Sequence, residues 1–113
     1  EKILILGSNG KFLKNDSSNK DLPYIFGNPE ISDFLNFKKI IENSKISYEA
    51  IKNIYFFKSD RWDLELKNNI LIKLPKNNVK ETLDNVFEFM EDISVGNKII
   101  IDARIENQII LNG

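Results

Sequence analysis

Arg61-Trp62-Asp63-Leu64-Glu65-Leu66-Lys67-Asn68-Asn69-Ile70-Leu71-Ile72-Lys73-Leu74-Pro75 is the stretch that decides the fold. Trp62, Leu64 and Leu66 fall on one face of an extended chain, and Arg61, Asp63, Glu65 and Lys67 fall on the other. A period of two belongs to a strand with one buried face. Asn68-Asn69 tolerate positive φ and turn the chain back into residues 70–74, and Pro75, which has no N–H to give a ladder, ends the second arm. The stretch therefore reads as an antiparallel hairpin.

Its neighbours extend the pattern on both sides. Downstream, Asn78 with Glu81 has the form of a capping box, and Val79, Leu83, Val86, Phe87 and Met90 make the apolar stripe of a helix to about Asp92. Gly96-Asn97 reset the chain. Residues 98–105, a Glu106-Asn107 turn and residues 108–111 then predict a C-terminal hairpin. Upstream, Asn28 before Pro29 supplies an N-cap and a first-turn proline for a helix to about Asn43, with Ile31, Phe34, Leu35, Ile40 and Ile41 near helical spacing. Residues 46–58 fit either a helix extension or a strand, and Asn53-Ile-Tyr-Phe-Phe57 favours a strand at their end. At the start, Lys2-Ile-Leu-Ile-Leu6, the turn Gly7-Ser-Asn-Gly10 and Lys11-Phe-Leu13 predict another hairpin. A polar surface loop over residues 14–21 follows, and Leu22-Pro23-Tyr24-Ile25-Phe26-Gly27 returns the chain to the core. The order ββ, α, βββ, α, ββ implies one α+β domain over residues 1–113, mainly antiparallel sheet with two helices packed on it.

Composition bounds the function. A chain of 113 residues holds one domain, and 16 basic against 17 acidic residues leave a net charge of −1, with no field to hold nucleic acid or an anionic membrane. There is no cysteine and no histidine, which removes disulfides, thiolate nucleophiles, Cys/His zinc sites and imidazole-based triads. No apolar run approaches the length of a membrane span. The chain opens at Glu1 without a start methionine or signal-like segment, so the expectation is a piece of a longer protein whose targeting segment is missing. Ile, Asn and Lys crowd the sequence, so a lysine carries little information. The only two arginines, Arg61 and Arg104, carry more.

Four signals bear on chemistry. The opening strand and glycine turn resemble a dinucleotide fingerprint, but Leu13 stands where a third glycine belongs, and residues 15–19 have loop rather than helix chemistry. Asp63 and Glu65 could suggest a hydrolytic carboxylate pair, but Arg61 and Lys67 share their face and should keep both ionised on a solvated sheet surface. Arg61 and Arg104 each stand near aspartates, and two readings stay open: an intramolecular ion pair, or a guanidinium kept to grip a partner's carboxylate bidentately. Gln108-Ile109-Ile110-Leu111-Asn112 carries no charge and no proline, the devices that stop a sheet edge from pairing with other chains. If it is the sheet's border it is a template for an incoming strand, unless a neighbouring strand or further sequence covers it.

Residues 22–27, the run from Asp60 to Ile70 leading to Leu74-Pro75, and Ile101-Asp102-Ala103-Arg104-Ile105 together resemble the periplasmic β domain of the bacterial cell-division family FtsQ (DivIB). The Leu-Pro ending is most similar to the alphaproteobacterial branch. The chain departs from the family pattern at Asp60, where an arginine doublet usually precedes the tryptophan, at Asn69 for the hairpin glycine, and at the Glu106-Asn107 turn. The resemblance implies a non-enzymatic scaffold without cofactor or metal, on the periplasmic side of the inner membrane. The full-length protein would carry a transmembrane helix and a POTRA domain outside this chain. It also implies that the last strand receives a strand from FtsB, which travels with FtsL. By position that assigns Ile105, Asn107, Gln108, Ile109, Ile110 and Leu111 to the pairing strand, and Arg104, with Arg61, to a charge clamp. The alternative is a small enzyme or ligand-binding domain for a dinucleotide or a glycan.

Overall fold

The computed structural model describes residues 4–6, 12–13, 22–91, 98–105 and 108–112. Its elements are β1 (Leu4–Leu6), β2 (Phe12–Leu13), β3 (Tyr24–Phe26), α1 (Ile31–Asn43), a short 3-10 turn (Tyr48–Ala50), β4 (Ile51–Phe57), β5 (Arg61–Leu66), β6 (Ile70–Lys73), α2 (Val79–Met90), β7 (Ile99–Asp102) and β8 (Ile110–Asn112). The strands form one sheet in the order β2-β1-β3-β4-β5-β6-β7-β8. Five neighbouring pairs are antiparallel, and β3–β4 and β6–β7 are parallel. The fold is α+β with a mostly antiparallel sheet.

Each helix is the crossover of one parallel pair. Both crossovers step the same way between strands that run in the same direction, so the right-handed rule puts both helices on one face of the sheet. They pack there against each other and share one core with the strands. Phe34, Phe37 and Ile41 of α1 and Leu83 and Val86 of α2 are buried, whereas Ile31 at the helix start is exposed. The Lys45 backbone N–H donates to Asp84 Oδ1 at 2.7 Å, which ties the segment after α1 to α2.

The strand face beneath the helices is built from aligned rows. Ile25, Ile54, Leu64, Ile72 and Ile101 lie side by side across β3 to β7, each at most 1% exposed. Trp62 stacks on Phe37 at 4.3 Å and meets Phe56 at 4.7 Å, so the signature tryptophan is a core anchor between sheet and α1. Gly27, with φ of 98°, ends β3 where the backbone of β4 comes close: a Cβ there would stand 2.5 Å from the Phe56 carbonyl oxygen.

The deciding hairpin is present as β5 and β6, with Asn69 at φ 70° in the turn. The opening hairpin is present as β1 and β2. Four expectations are corrected. First, residues 24–26 form a strand, so the order is βββ, α, βββ, α, ββ; three residues between Pro23 and Gly27 are too few to show a period, and their pairing comes from β1 and β4. Second, α1 begins at Ile31, after Asn28-Pro29; a residue before proline is held extended, and the carbonyl of Glu30, itself extended, accepts the first helical bond from Phe34 N–H. Third, Asn78 makes no side-chain cap. It sits at φ 58°, and its carbonyl accepts instead from the Thr82 N–H and hydroxyl at 3.0 and 2.9 Å. Fourth, the C-terminal strands are shorter than expected and the last begins later: β7 ends at Asp102, because the Asp102 carboxylate takes the Arg104 N–H at 3.1 Å and turns the chain locally, and β8 starts at Ile110. The expected turns and loop at residues 7–10, 14–21, 96–97 and 106–107 lie outside the described residues.

Candidate functional site

β8 pairs with β7 alone and is the last strand of the described sheet. Which of its main-chain groups face outward follows from the hydrogen bonds one strand further in. The Ile99 N–H donates to the Asn69 carbonyl at 3.1 Å and the Ala103 N–H to the Lys73 carbonyl at 2.9 Å, so the odd-numbered residues of β7 bond toward β6. Ile100 and Asp102 therefore bond toward β8, where their partners in register are Asn112 and Ile110. Leu111, opposite Ile101, is the non-bonded position of that pair, and its N–H and C=O face away from the sheet.

The side chains of this strand are as open as its edge. Leu111 continues the row that runs from Ile25 to Ile101, but it is 48% exposed where the other five are closed over by the helices. Ile110 on the opposite face is 42% exposed and Ile105 is 54% exposed, whereas Ile109 packs against the core. On the helix side a groove of about 680 Å³ separates the start of α2 from this border, lined by Asn78, Glu81 and Thr82 on one side and Ala103, Ile105 and Ile109 on the other. Asn107 lies outside the described residues.

The face away from the helices carries a row of charges. Asp63 stands opposite Lys73, Lys73 opposite Asp102, and Asp102 opposite Ile110, so the row reaches the border strand. Arg61 and Arg104 flank it. Arg61 Nη1 donates to Asp63 Oδ1 at 2.6 Å and to the Leu74 carbonyl at 3.3 Å, and the guanidinium lies 4.7 Å over the Phe57 ring. Arg104 grips Asp102 with two bonds, Nε to Oδ1 at 2.9 Å and Nη2 to Oδ2 at 2.6 Å. Both arginines thus form intramolecular pairs. Arg104 still presents much of its surface to solvent, and Arg61 is largely built into the sheet.

The expectation of a solvated Asp63 is corrected: the residue is 5% exposed. Burial pushes its carboxyl above the usual carboxylate range, and Arg61 beside it only partly offsets this. Alternation placed Asp63 correctly on the helix-free face, but a central strand is shielded by its neighbours even there. Glu65 is held below its ordinary value by the Asn53 amide, which donates at 2.7 Å. Asp102 is likewise held low, chiefly by the Arg104 guanidinium. Lys73 was not singled out from sequence, since nothing marks it until β6 is known to lie between β5 and β7.

Among the described residues, the strands at the beginning of the chain do not have the arrangement of a dinucleotide site. β1 has antiparallel neighbours on both sides, where that site needs a helix leading to a parallel strand. Among the described residues no group of acidic side chains is arranged to hold a metal, and no helix is long and apolar enough to cross a membrane. What the border can do chemically is offer a main-chain donor and acceptor, flanked by apolar side chains and one accessible guanidinium. Among known families, the one described as Cell division protein FtsQ/DivIB, C-terminal, matches residues 2–104. No curated protein matches the chain.

Proposed function

The chain belongs to the FtsQ/DivIB C-terminal family of cell-division proteins, and from that premise we propose that it is a non-enzymatic docking domain that binds FtsB, with FtsL, by adding a partner strand to β8. The family is a scaffold family of the division complex and faces the periplasm from the inner membrane. In this reading the domain works on the periplasmic side, held by a single-pass anchor outside residues 1–113. Ile105, Asn107, Gln108, Ile109, Ile110 and Leu111 form the docking border, and Arg104 holds an acidic side chain of the partner. Arg61 supports that clamp from within the sheet, since its partner Asp63 is also within electrostatic reach of Arg104.

The observation that carries the reading is Leu111. Its main chain faces away from β7, and its side chain continues the buried row of the sheet with no cover among the described residues. An added strand would satisfy the first and shelter the second.

Two proline substitutions test it. Leu111→Pro removes the outward N–H and leaves the β7–β8 bonds in place, so affinity for an FtsB peptide should fall about tenfold or more, the equivalent of one main-chain bond. The unfolding midpoint should stay near the parent's. Ile110→Pro instead removes a donor to β7 and should loosen β8 itself. If Leu111→Pro binds the peptide as tightly as the parent, measured by titration calorimetry, the docking edge is not β8.

A further inference from the structure

The Arg104–Asp102 pair has a geometry that goes beyond neutralising a charge. A guanidinium has two forks: one made by Nε–H and one N–H of Nη2, the other by Nη1 and the remaining N–H of Nη2. Asp102 occupies the first fork with both of its oxygens, at 2.9 and 2.6 Å, and Oδ1 also takes the Arg104 backbone N–H at 3.1 Å. Backbone and side-chain tip of Arg104 are thus fixed by one carboxylate, and among the described residues none takes the second fork. No fork of the protein competes for Asp102 in the same way: Lys73, its register neighbour, offers a point charge, and Asp63, the other carboxylate near Arg104, is held by Arg61.

The position suits a contact across the border. Asp102 lies opposite Ile110 on β8, so a strand added beyond β8 would run two strand spacings, roughly 10 Å, from β7. A long arginine side chain and an acidic side chain on the same face span that distance together. An exposed ion pair contributes little to folding. Holding a long side chain in its binding geometry beforehand, however, lowers the ordering cost when a partner arrives.

We infer that Asp102 is a positioning residue: it holds Arg104 by one fork so that the other receives a carboxylate from the helix-free face of the incoming strand. The inference rests on strand addition at β8 and on the Arg104 clamp proposed above, and adds the residue that holds that clamp in its binding geometry.

The test is a double-mutant cycle on the whole domain, with an FtsB peptide segment as the probe and affinity read by calorimetry. Asp102→Asn should weaken binding about 3- to 10-fold when Arg104 is present, the scale of one ordered side chain. In the Arg104→Ala background it should change nothing, and Arg104→Lys, which has no forks, should not restore the parent's affinity. Amide exchange of residues 110–112 is followed in each variant. Protection of these amides by the segment in every variant, with an equal Asp102→Asn effect in both backgrounds, no effect in either, or tighter binding when Arg104 is present, would overturn the positioning role and leave strand addition standing. If the segment fails to protect those amides even in the parent, strand addition itself is wrong and the role of Asp102 goes with it.

Discussion

The sheet contains two arginine–aspartate pairs of the same local design, Arg61 with Asp63 on β5 and Asp102 with Arg104 at the end of β7. In each pair the residues are two apart in sequence, the aspartate lies on the strand face away from the helices, and the shortest contact is 2.6 Å. Their surroundings differ. β5 has strands on both sides and Asp63 is 5% exposed, whereas Asp102 lies one strand from the border and Arg104 opens to solvent. Burial therefore dominates the first carboxyl and raises its pKa, while the guanidinium dominates the second and lowers it. The same two side chains make a buried tie in mid-sheet and a solvent-accessible pair near the edge, and the strand order separates the two settings.

The sharpest way to break this contrast is to remove each arginine in turn. Arg61→Ala leaves the Asp63 carboxylate buried without its main partner and deletes the contact over Phe57 and the bond to the Leu74 carbonyl. The expected loss is about 3 kcal/mol near neutral pH, read from urea unfolding, with a fall in melting temperature of more than about 10 °C. The deficit should shrink as the pH is lowered, because a protonated Asp63 no longer needs a cation. A loss that stays constant with pH would mean that the Phe57 and Leu74 contacts, rather than the charge, hold Arg61.

A smaller effect with opposite signs at the two sites sharpens the comparison. Asp63 has a raised folded pKa, so folding favours its protonated form: its contribution to stability is greatest at low pH and is lost as pH rises through the folded value. Asp102 has a lowered folded pKa. Its contribution is present above the ordinary aspartate range and is lost as pH falls through the folded value. Carboxyl carbon titration by NMR should place the two midpoints on either side of the ordinary value of about 3.9. If both fall on the same side, strand position does not control them.

These pairs also mark how far the sequence could be read. The alternation from Trp62 to Lys67 is local, and it placed β5, its turn and the two faces correctly. The stripe of α2 did the same for the helix. Strand β3 escaped because three residues carry no period, and the caps of both helices escaped because a proline or a positive φ next to them redirects the backbone. The absence of charge in residues 108–112 is also local, and it raises a border position as one of two readings; β8 is the last strand of the described sheet. Neither the burial of Asp63 nor the place of Lys73 in the charge row is local. Both depend on which strands lie beside β5 and β6, and the two parallel crossovers that set this leave no mark on any single stretch.

The weakest expected effect is the most telling about the border. Arg104→Ala removes two hydrogen bonds of good length, yet both are made to a side chain that water can also reach, so the unfolding midpoint should remain where the parent's is. What should move is the Asp102 carboxyl, whose pKa should rise toward the ordinary aspartate value once its first cause of depression is gone. A drop in stability comparable to that of Arg61→Ala would make the edge pair a second structural tie. An unchanged midpoint together with a shifted Asp102 titration would leave Arg104 a side chain that the isolated domain does not need in order to fold, placed one strand in from the β8 border of the described sheet.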